Sequence, residues 1–327
     1  MKFQMTMIAV SFVVTVVLSF IIIPILRKVK VGQIEREDGP ESHLKKQGTP
    51  TMGGIIFMIA IILCTTGVYA ILHIIGKPET AQNLLPMLCL TIGFGIIGFI
   101  DDFKKLVLQN TEGLKPSYKM FGLLLISIAY TFFIIKYSNV GKDTFIPFLK
   151  IYINLPEFVY IPFAILVILA TTNAVNLTDG IDGLSSCVSA IIVATLTAIA
   201  MMQTKTEVTI FGSIVIGSVL GFLMFNLHPA KVFMGDTGSL FLGGVISSIA
   251  LYLKMPLLLL IIALVPIIET LSVILQVVYF KKTGGKRLFK MSPLHHHFEL
   301  SGWSENKVVI IFSIITLMVC VLGIFAV

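Results

Sequence analysis

Residues 158–202 read F-V-Y-I-P-F-A-I-L-V-I-L-A-T-T-N-A-V-N-L-T-D-G-I-D-G-L-S-S-C-V-S-A-I-I-V-A-T-L-T-A-I-A-M-M. Two uncharged apolar runs flank a short polar joint, and each run approaches the roughly 20 residues that a helix needs to cross a bilayer. The joint runs from Asn173 to Gly183 and sets Asn173, Asn176, Thr178, Asp179 and Asp182 between the runs, with Gly180 and Gly183 permitting sharp turns. A pair of membrane-crossing helices joined at the bilayer surface accounts for both the greasy runs and the polar joint.

The same pattern repeats along the chain. Apolar segments fall at about 5–26, 52–75, 84–101, 117–136, 158–175, 183–202, 208–226, 238–254, 256–280 and 307–327. Of the 327 residues, 56% are hydrophobic and 13% charged, with a mean hydropathy of +0.98. A soluble domain carries about a quarter charged residues, so an ordinary cytosolic enzyme, a disordered chain and a disulfide scaffold are excluded. The expectation is an all-α polytopic membrane protein of about ten transmembrane helices, one integral domain over residues 1–327. The first segment is too long for a signal peptide and lacks a small-residue cleavage site, and Arg27, Lys28 and Lys30 follow it. Cys64, Cys89, Cys187 and Cys320 lie in apolar segments without paired spacing and read as small buried hydrophobes.

Ten crossings place both termini on one side. The loops at about 27–51, 102–116, 176–182, 227–237 and 281–306, with the helix ends Lys119 and Lys307, hold 17 of the 24 Lys and Arg. Positive charge marks the cytoplasmic loops, so that set is expected inside and both termini outside. The net charge of +7 therefore reads as orientation, with no nucleic acid as partner. Among the outer loops, 138–157 alternates β-formers with turn residues and predicts a small extracytoplasmic β-hairpin.

Two glycine patterns are decoys. Gly93-Phe94-Gly95-Ile96-Ile97-Gly98 has the spacing of a dinucleotide fingerprint but lies inside an apolar span, where glycines let helices approach closely. Gly217 and Gly221 read the same way.

The polar residues that carry chemistry collect at the expected cytoplasmic face. Asp101-Asp102 ends the third span, and adjacent carboxylates need a cation or a proton unless they form a solvated helix end. In the 173–183 joint, one Asp would satisfy a helix cap; a second, with the asparagines, favours a site. Asp236, in F-M-G-D-T-G-S, either caps the eighth helix or offers a hard oxygen to Mg²⁺. His295, His296 and His297 would point about 100° apart on a helix and do not share one metal; they suit hydrogen bonds to phosphates or sugar hydroxyls. Lys45, Lys46 and Lys105 add positive charge. Glu269, three residues after Pro266, is an intramembrane carboxylate, either functional or half of a buried pair, and the proline is placed to break its helix.

Five of these segments, in order, resemble the polyprenyl-phosphate N-acetylhexosamine-1-phosphate transferase superfamily, and within it the phospho-N-acetylmuramoyl-pentapeptide-transferase family. They are Lys46–Gly54, Asp101-Asp102, Asn173–Gly183, Phe233–Ser239 and Pro293–Glu299. The resemblance implies Mg²⁺-dependent reaction of UDP-N-acetylmuramoyl-pentapeptide with undecaprenyl phosphate, giving UMP and lipid I at the bacterial inner membrane. It also implies Asp101, Asp102 and Asp179 as catalytic carboxylates and Asp236 as the magnesium ligand. Lys46, Thr51, Asn176, Gly180, Asp182, Phe233, Gln276 and His296 match nucleotide-sugar or inhibitor contacts, with Phe233 placed to stack on uracil. Lys105, His295 and His297 join the substrate-binding set, and a homodimer is implied as well. The nearest alternative is the same fold acting on UDP-N-acetylglucosamine. A proton-coupled transporter fits less well, because transporters bind substrate near the midplane and these polar groups cluster at one face.

Overall fold

The computed structural model describes residues 2–29, 48–106, 113–138 and 140–327. Among these, nine helices are long and apolar enough to cross a membrane. They begin with α1 (Lys2–Lys28) and α2 (Gly54–Ile74). The short α3 (Pro78–Gln82) then leads into α4 (Leu85–Leu106), and α5 (Pro116–Tyr137) follows. The expected hairpin is present within 138–157 as β1 (Asp143–Ile146) paired antiparallel with β2 (Ile151–Asn154). Next come α6 (Glu157–Thr178), α7 (Leu184–Met202), α8 (Thr206–Asn226) and α9 (Gly235–Tyr252). After a 3₁₀ turn the chain forms α10 (Leu259–Ile262), α11 (Leu264–Lys282), α12 (Leu294–Glu299) and α13 (Glu305–Phe325).

Many hydroxyl residues inside the spans bond to their own helix. Ser11, Thr15 and Ser19 each donate to the carbonyl four residues back at 2.8 Å, which lets a polar stripe of α1 be buried. That stripe lies against α8, where a side chain on Gly217 would strike Ile8 O and Ser11, and one on Gly221 would come 2.8 Å from Phe12 O. The glycine decoys are thus packing devices. In the other set, a methyl group on Gly98 would collide with the backbone of Asp236, and one on Gly95 would reach Met58 Sδ at 2.7 Å.

α9 is the exception among the expected spans. It has 18 residues, every one from Thr237 to Tyr252 is buried, and it is not among the nine apolar helices. Small residues bring its neighbours close: Gly238 meets Gly54 of α2, and Gly243 meets Thr172 of α6. A helix whose whole surface is covered by other helices meets no lipid, so small residues replace apolar bulk.

The segment expected as one span over 256–280 is divided. Its helical course stops at Ala263 (φ −100°, ψ 26°) and restarts as α11. Pro266 has no N–H for the Ile262 carbonyl and its ring crowds that position, so the break falls just before the proline's own turn. At the opposite end of the bundle from the aspartates, the hairpin is tied down by Asp143 to Lys254 at 2.7 Å. Phe145 N–H to Lys254 O (2.7 Å) and Phe148 N–H to Ala326 O (2.9 Å) hold it as well.

Candidate active site

The adjacent carboxylates of Asp101 and Asp102 avoid mutual repulsion by facing different partners. Asp102, buried in the last turns of α4, turns both oxygens to the N-terminus of α9. It accepts Asp236 N–H at 3.1 Å, Thr237 N–H at 2.8 Å and the Thr237 hydroxyl at 2.6 Å. The first N–H groups of a helix lack intrahelical partners, and here a carboxylate from another helix supplies them. Asp236 therefore does not cap its own helix, contrary to one of the two readings open in the sequence.

Asp101 faces the other way. It accepts Leu114 N–H at 2.7 Å and pairs with Lys105 Nζ at 2.7 Å and Lys119 Nζ at 3.5 Å. Both lysines also reach Asp236 Oδ2, at 3.0 Å for Lys105 and 2.9 Å for Lys119. The other oxygen of Asp236 accepts Asn176 Nδ2 at 2.8 Å, and Asn176 also donates to Ser239 Oγ at 2.8 Å. Four elements thus meet at one point: α4, α5, the end of α6 and the start of α9. Sequence reading marked all of these residues except Lys119, Thr237 and Ser239. Lys119 lies in the opening turns of a span, the one trace it leaves in sequence, while Thr237 and Ser239 sit in the quoted D-T-G-S segment.

Asp179 stands just beyond α6, in the middle of the joint. Burial, and then the negative charges of Asp236, Asp102 and Asp182, push its carboxyl well above the usual carboxylate range. The site gathers more carboxyl groups than it has lysines to pair with them. Hard oxygens of Asp101 and Asp236 already converge on two ammonium groups, so the donor set suits a hard divalent cation.

The Thr51 region forms a second wall. Gly53 and Gly54 donate to the carbonyls of Phe233 and Met234 at 2.8 and 2.9 Å, and Phe233 N–H donates to Pro50 O at 2.8 Å. Gly235 has φ +71°, and a side chain there would come 2.6 Å from Asp102 Oδ2 and 3.0 Å from the Thr51 hydroxyl. The two motifs are therefore laced by backbone bonds, with half-buried Phe233 at their edge. Lys45 and Lys46 lie outside the described residues.

Asp182 belongs to a different cluster. It accepts Ala230 N–H and meets His228 Nδ1, both at 3.0 Å, while its own N–H points to Glu305 at 3.4 Å. Among the described residues, Asp182, His228 and Glu305 also form a grouping compact enough for a metal. The acidic convergence at Asp101 and Asp236 is the better match to phosphate chemistry, because it joins lysines to carboxylates. His228 and Glu305 were not marked in the sequence; nothing in their spacing indicates that they meet.

The three histidines, on α12, go to three partners. His295 Nδ1 meets Glu269 at 3.1 Å, His296 Nδ1 meets Glu299 at 2.9 Å, and His297 Nδ1 accepts Lys290 N–H at 3.2 Å. The three Nδ1 atoms thus face separate partners, in keeping with their helical spacing. Gln276 is engaged by the loop before them: its oxygen accepts Leu288 N–H at 3.0 Å and Phe289 N–H at 2.9 Å, and its amide donates to Phe289 O at 3.2 Å. Gly180 connects the two halves of the site, because a methyl group on it would collide with His295 Nε2.

Comparison with known proteins shows which family the chain resembles. The family model for glycosyl transferase family 4 matches residues 84–254, from α4 through α9. Signature 1 of phospho-N-acetylmuramoyl-pentapeptide-transferase matches residues 46–58. A phospho-N-acetylmuramoyl-pentapeptide-transferase of Clostridium botulinum (strain Alaska E43) is 49% identical over 316 residues, covering 97% of this chain and 94% of the relative. The protein of the same description from Acetivibrio thermocellus is 46% identical, covering 97% and 93%. That from Halalkalibacterium halodurans is 49% identical, covering 96% and 94%.

Proposed function

The chain belongs to the phospho-N-acetylmuramoyl-pentapeptide-transferase family, and from that premise we propose which of its residues carry the reaction. The protein is a multi-pass membrane enzyme. It transfers phospho-N-acetylmuramoyl-pentapeptide from its UDP derivative to undecaprenyl phosphate, giving lipid I and UMP. The observation that carries the assignment of roles is the bridge from Asp101 through Lys105 and Lys119 to Asp236.

The reaction sits on the cytoplasmic face of the bacterial inner membrane, where a water-soluble nucleotide meets a lipid-borne phosphate. Asp236, with Asp101 beside it, would hold Mg²⁺, which when bound would supply charge neutralisation on the transferring phosphate. Lys105 and Lys119 bind phosphate oxygens at the same point, and Asn176 keeps the Asp236 carboxylate turned toward them. Thr51, Asn176, Gly180, Asp182 and Phe233 line the nucleotide-sugar side, with Gln276, His296 and His297 beyond them; Lys46 belongs to the same set by family resemblance. Phosphoryl transfer needs positioning and neutralised charge more than covalent work by protein.

An oxygen of the prenyl phosphate attacks the phosphorus that carries the sugar; the pyrophosphate P–O bond breaks, and UMP leaves with the bond electrons. A phosphomonoester has its second pKa near 6, so the lipid phosphate is already mostly dianionic at neutral pH and needs little help from a base. Asp102 is a poor nucleophile, because three hydrogen bonds to α9 occupy its oxygens. Asp102 accordingly anchors the helix that presents Asp236. Purified enzyme stripped of prenyl phosphate is expected to release no UMP beyond background. A stoichiometric burst of UMP from lipid-free enzyme, lost in Asp102→Asn, would replace direct attack by a phospho-enzyme mechanism.

A further inference from the structure

Glu269 lies near the start of α11, in the second part of the divided span, and both it and His295 have side chains almost wholly shielded. Its Oε2 lies 3.1 Å from His295 Nδ1, and its Oε1 accepts the His295 backbone N–H at 3.2 Å. A carboxylate facing Nδ1 fixes the proton on that nitrogen and fixes the plane of the ring. The far nitrogen, Nε2, is buried without a hydrogen-bond partner. A polar atom left so costs about 1–3 kcal/mol. A pair that served only to neutralise Glu269 needs no second nitrogen and would avoid that cost.

What Nε2 faces is Gly180. A methyl group there would collide with Nε2 and come 2.6 Å from Cε1. Gly180 is not among the residues with positive φ. Its backbone would therefore accept a side chain, and the imidazole is what excludes one. The sequence Glu269, His295, Gly180, Asp179 thus runs from a membrane span to the joint beside the aspartates.

We propose that Glu269 is a positioning residue for the transfer: by orienting His295 it presses the ring against Gly180 and so sets the 179–183 joint for the nucleotide-sugar donor. The inference rests on the reading that this joint serves the donor side. It absorbs a feature that the reaction itself leaves unexplained, an ionisable group inside a span.

The test uses the full-length enzyme in lipid nanodiscs. In Glu269→Gln the amide accepts from only one of the two His295 donors, so Nδ1–H or the backbone N–H loses its acceptor. The expected result is a rise of about tenfold in KM for the UDP-sugar, the scale of one buried hydrogen bond lost, with KM for prenyl phosphate unchanged. Histidine ¹⁵N spectra should lose the Nδ1-protonated signal assigned to His295. An unchanged donor KM, or both KM values rising together, overturns the proposal. Gly180→Ala asks the same question without touching the span: its methyl meets the ring, so donor KM should rise. Gly180→Ala with normal donor KM also overturns it. Asp179→Asn run in parallel separates the two readings. If that variant is fully active, the donor-side reading of the joint fails; if it is impaired while Glu269→Gln is normal, only the inference about Glu269 fails.

Discussion

Asp102 and Asp236 are both acidic, both near the bilayer surface and both marked by the sequence, yet their surroundings give them different work. Replacing Asp102 by Asn turns an amide N–H₂ toward donors at the start of α9, leaving at least one buried donor unsatisfied at a cost of about 1–3 kcal/mol. Asp102→Asn should therefore lower the thermal unfolding midpoint as well as activity. Asp236→Asn removes a charge that faces two lysines and leaves the helix cap intact. It should unfold near the wild-type temperature while losing activity or needing far more Mg²⁺. Thermal melts and magnesium titrations of the two variants, side by side, check the assignment; equal melting behaviour would return Asp236 to a capping role. The residue types of this site were legible in the sequence, but the partners were not. Asp101 and Asp236 are brought to the same ammonium groups across 131 residues of sequence between Lys105 and Asp236, a distance over which no local pattern operates. Lys119 was invisible for the same reason, since a lysine near a helix end is ordinary until its neighbours are known.

Helix packing at this site depends on where a glycine sits, which gives the element scale its own prediction. Gly93 and Gly98 both belong to the sequence pattern that imitates a dinucleotide fingerprint, but they meet different neighbours. A methyl group on Gly93 would come 3.1 Å from the side chain of Ile126, which can turn aside, whereas on Gly98 it would strike the carbonyl of Asp236. Gly93→Ala should be tolerated. Gly98→Ala should cost about 1–3 kcal/mol, as overpacking does, and remove most activity by pushing the start of α9 away from Asp102. Expression, melting and turnover of the two variants decide it. Segment length and hydropathy found most helices, because lipid imposes a strong and simple pattern, while the hairpin was legible from β-formers set between turn residues. Hydropathy alone reads the 256–280 segment as continuous; Pro266 was the residue that pointed to its break, which falls at Ala263, and the Ile262 carbonyl freed there meets Cys320 Sγ at 3.7 Å.

Orientation belongs to the whole molecule, and the charge asymmetry of its loops predicts it. In a cysteine-free background, Lys150→Cys at the exposed tip of the hairpin should react with an impermeant maleimide on intact cells. Ser301→Cys, exposed beside the histidine helix, should react only after permeabilisation. Labelling of both from outside would invert or break the topology. The covered helix α9 has a further consequence, for biogenesis. Hydropathy favours a segment's entry into the bilayer during synthesis, and α9 is the expected span that falls outside the nine apolar helices. Its neighbours α2, α4 and α6 offer the close-packed seams that receive it, and the Asp102 carboxylate that holds its N-terminus also sets the catalytic corner. Lesions along those seams are expected to lower the amount of folded protein in cells together with its activity, which membrane immunoblots run beside turnover assays would check.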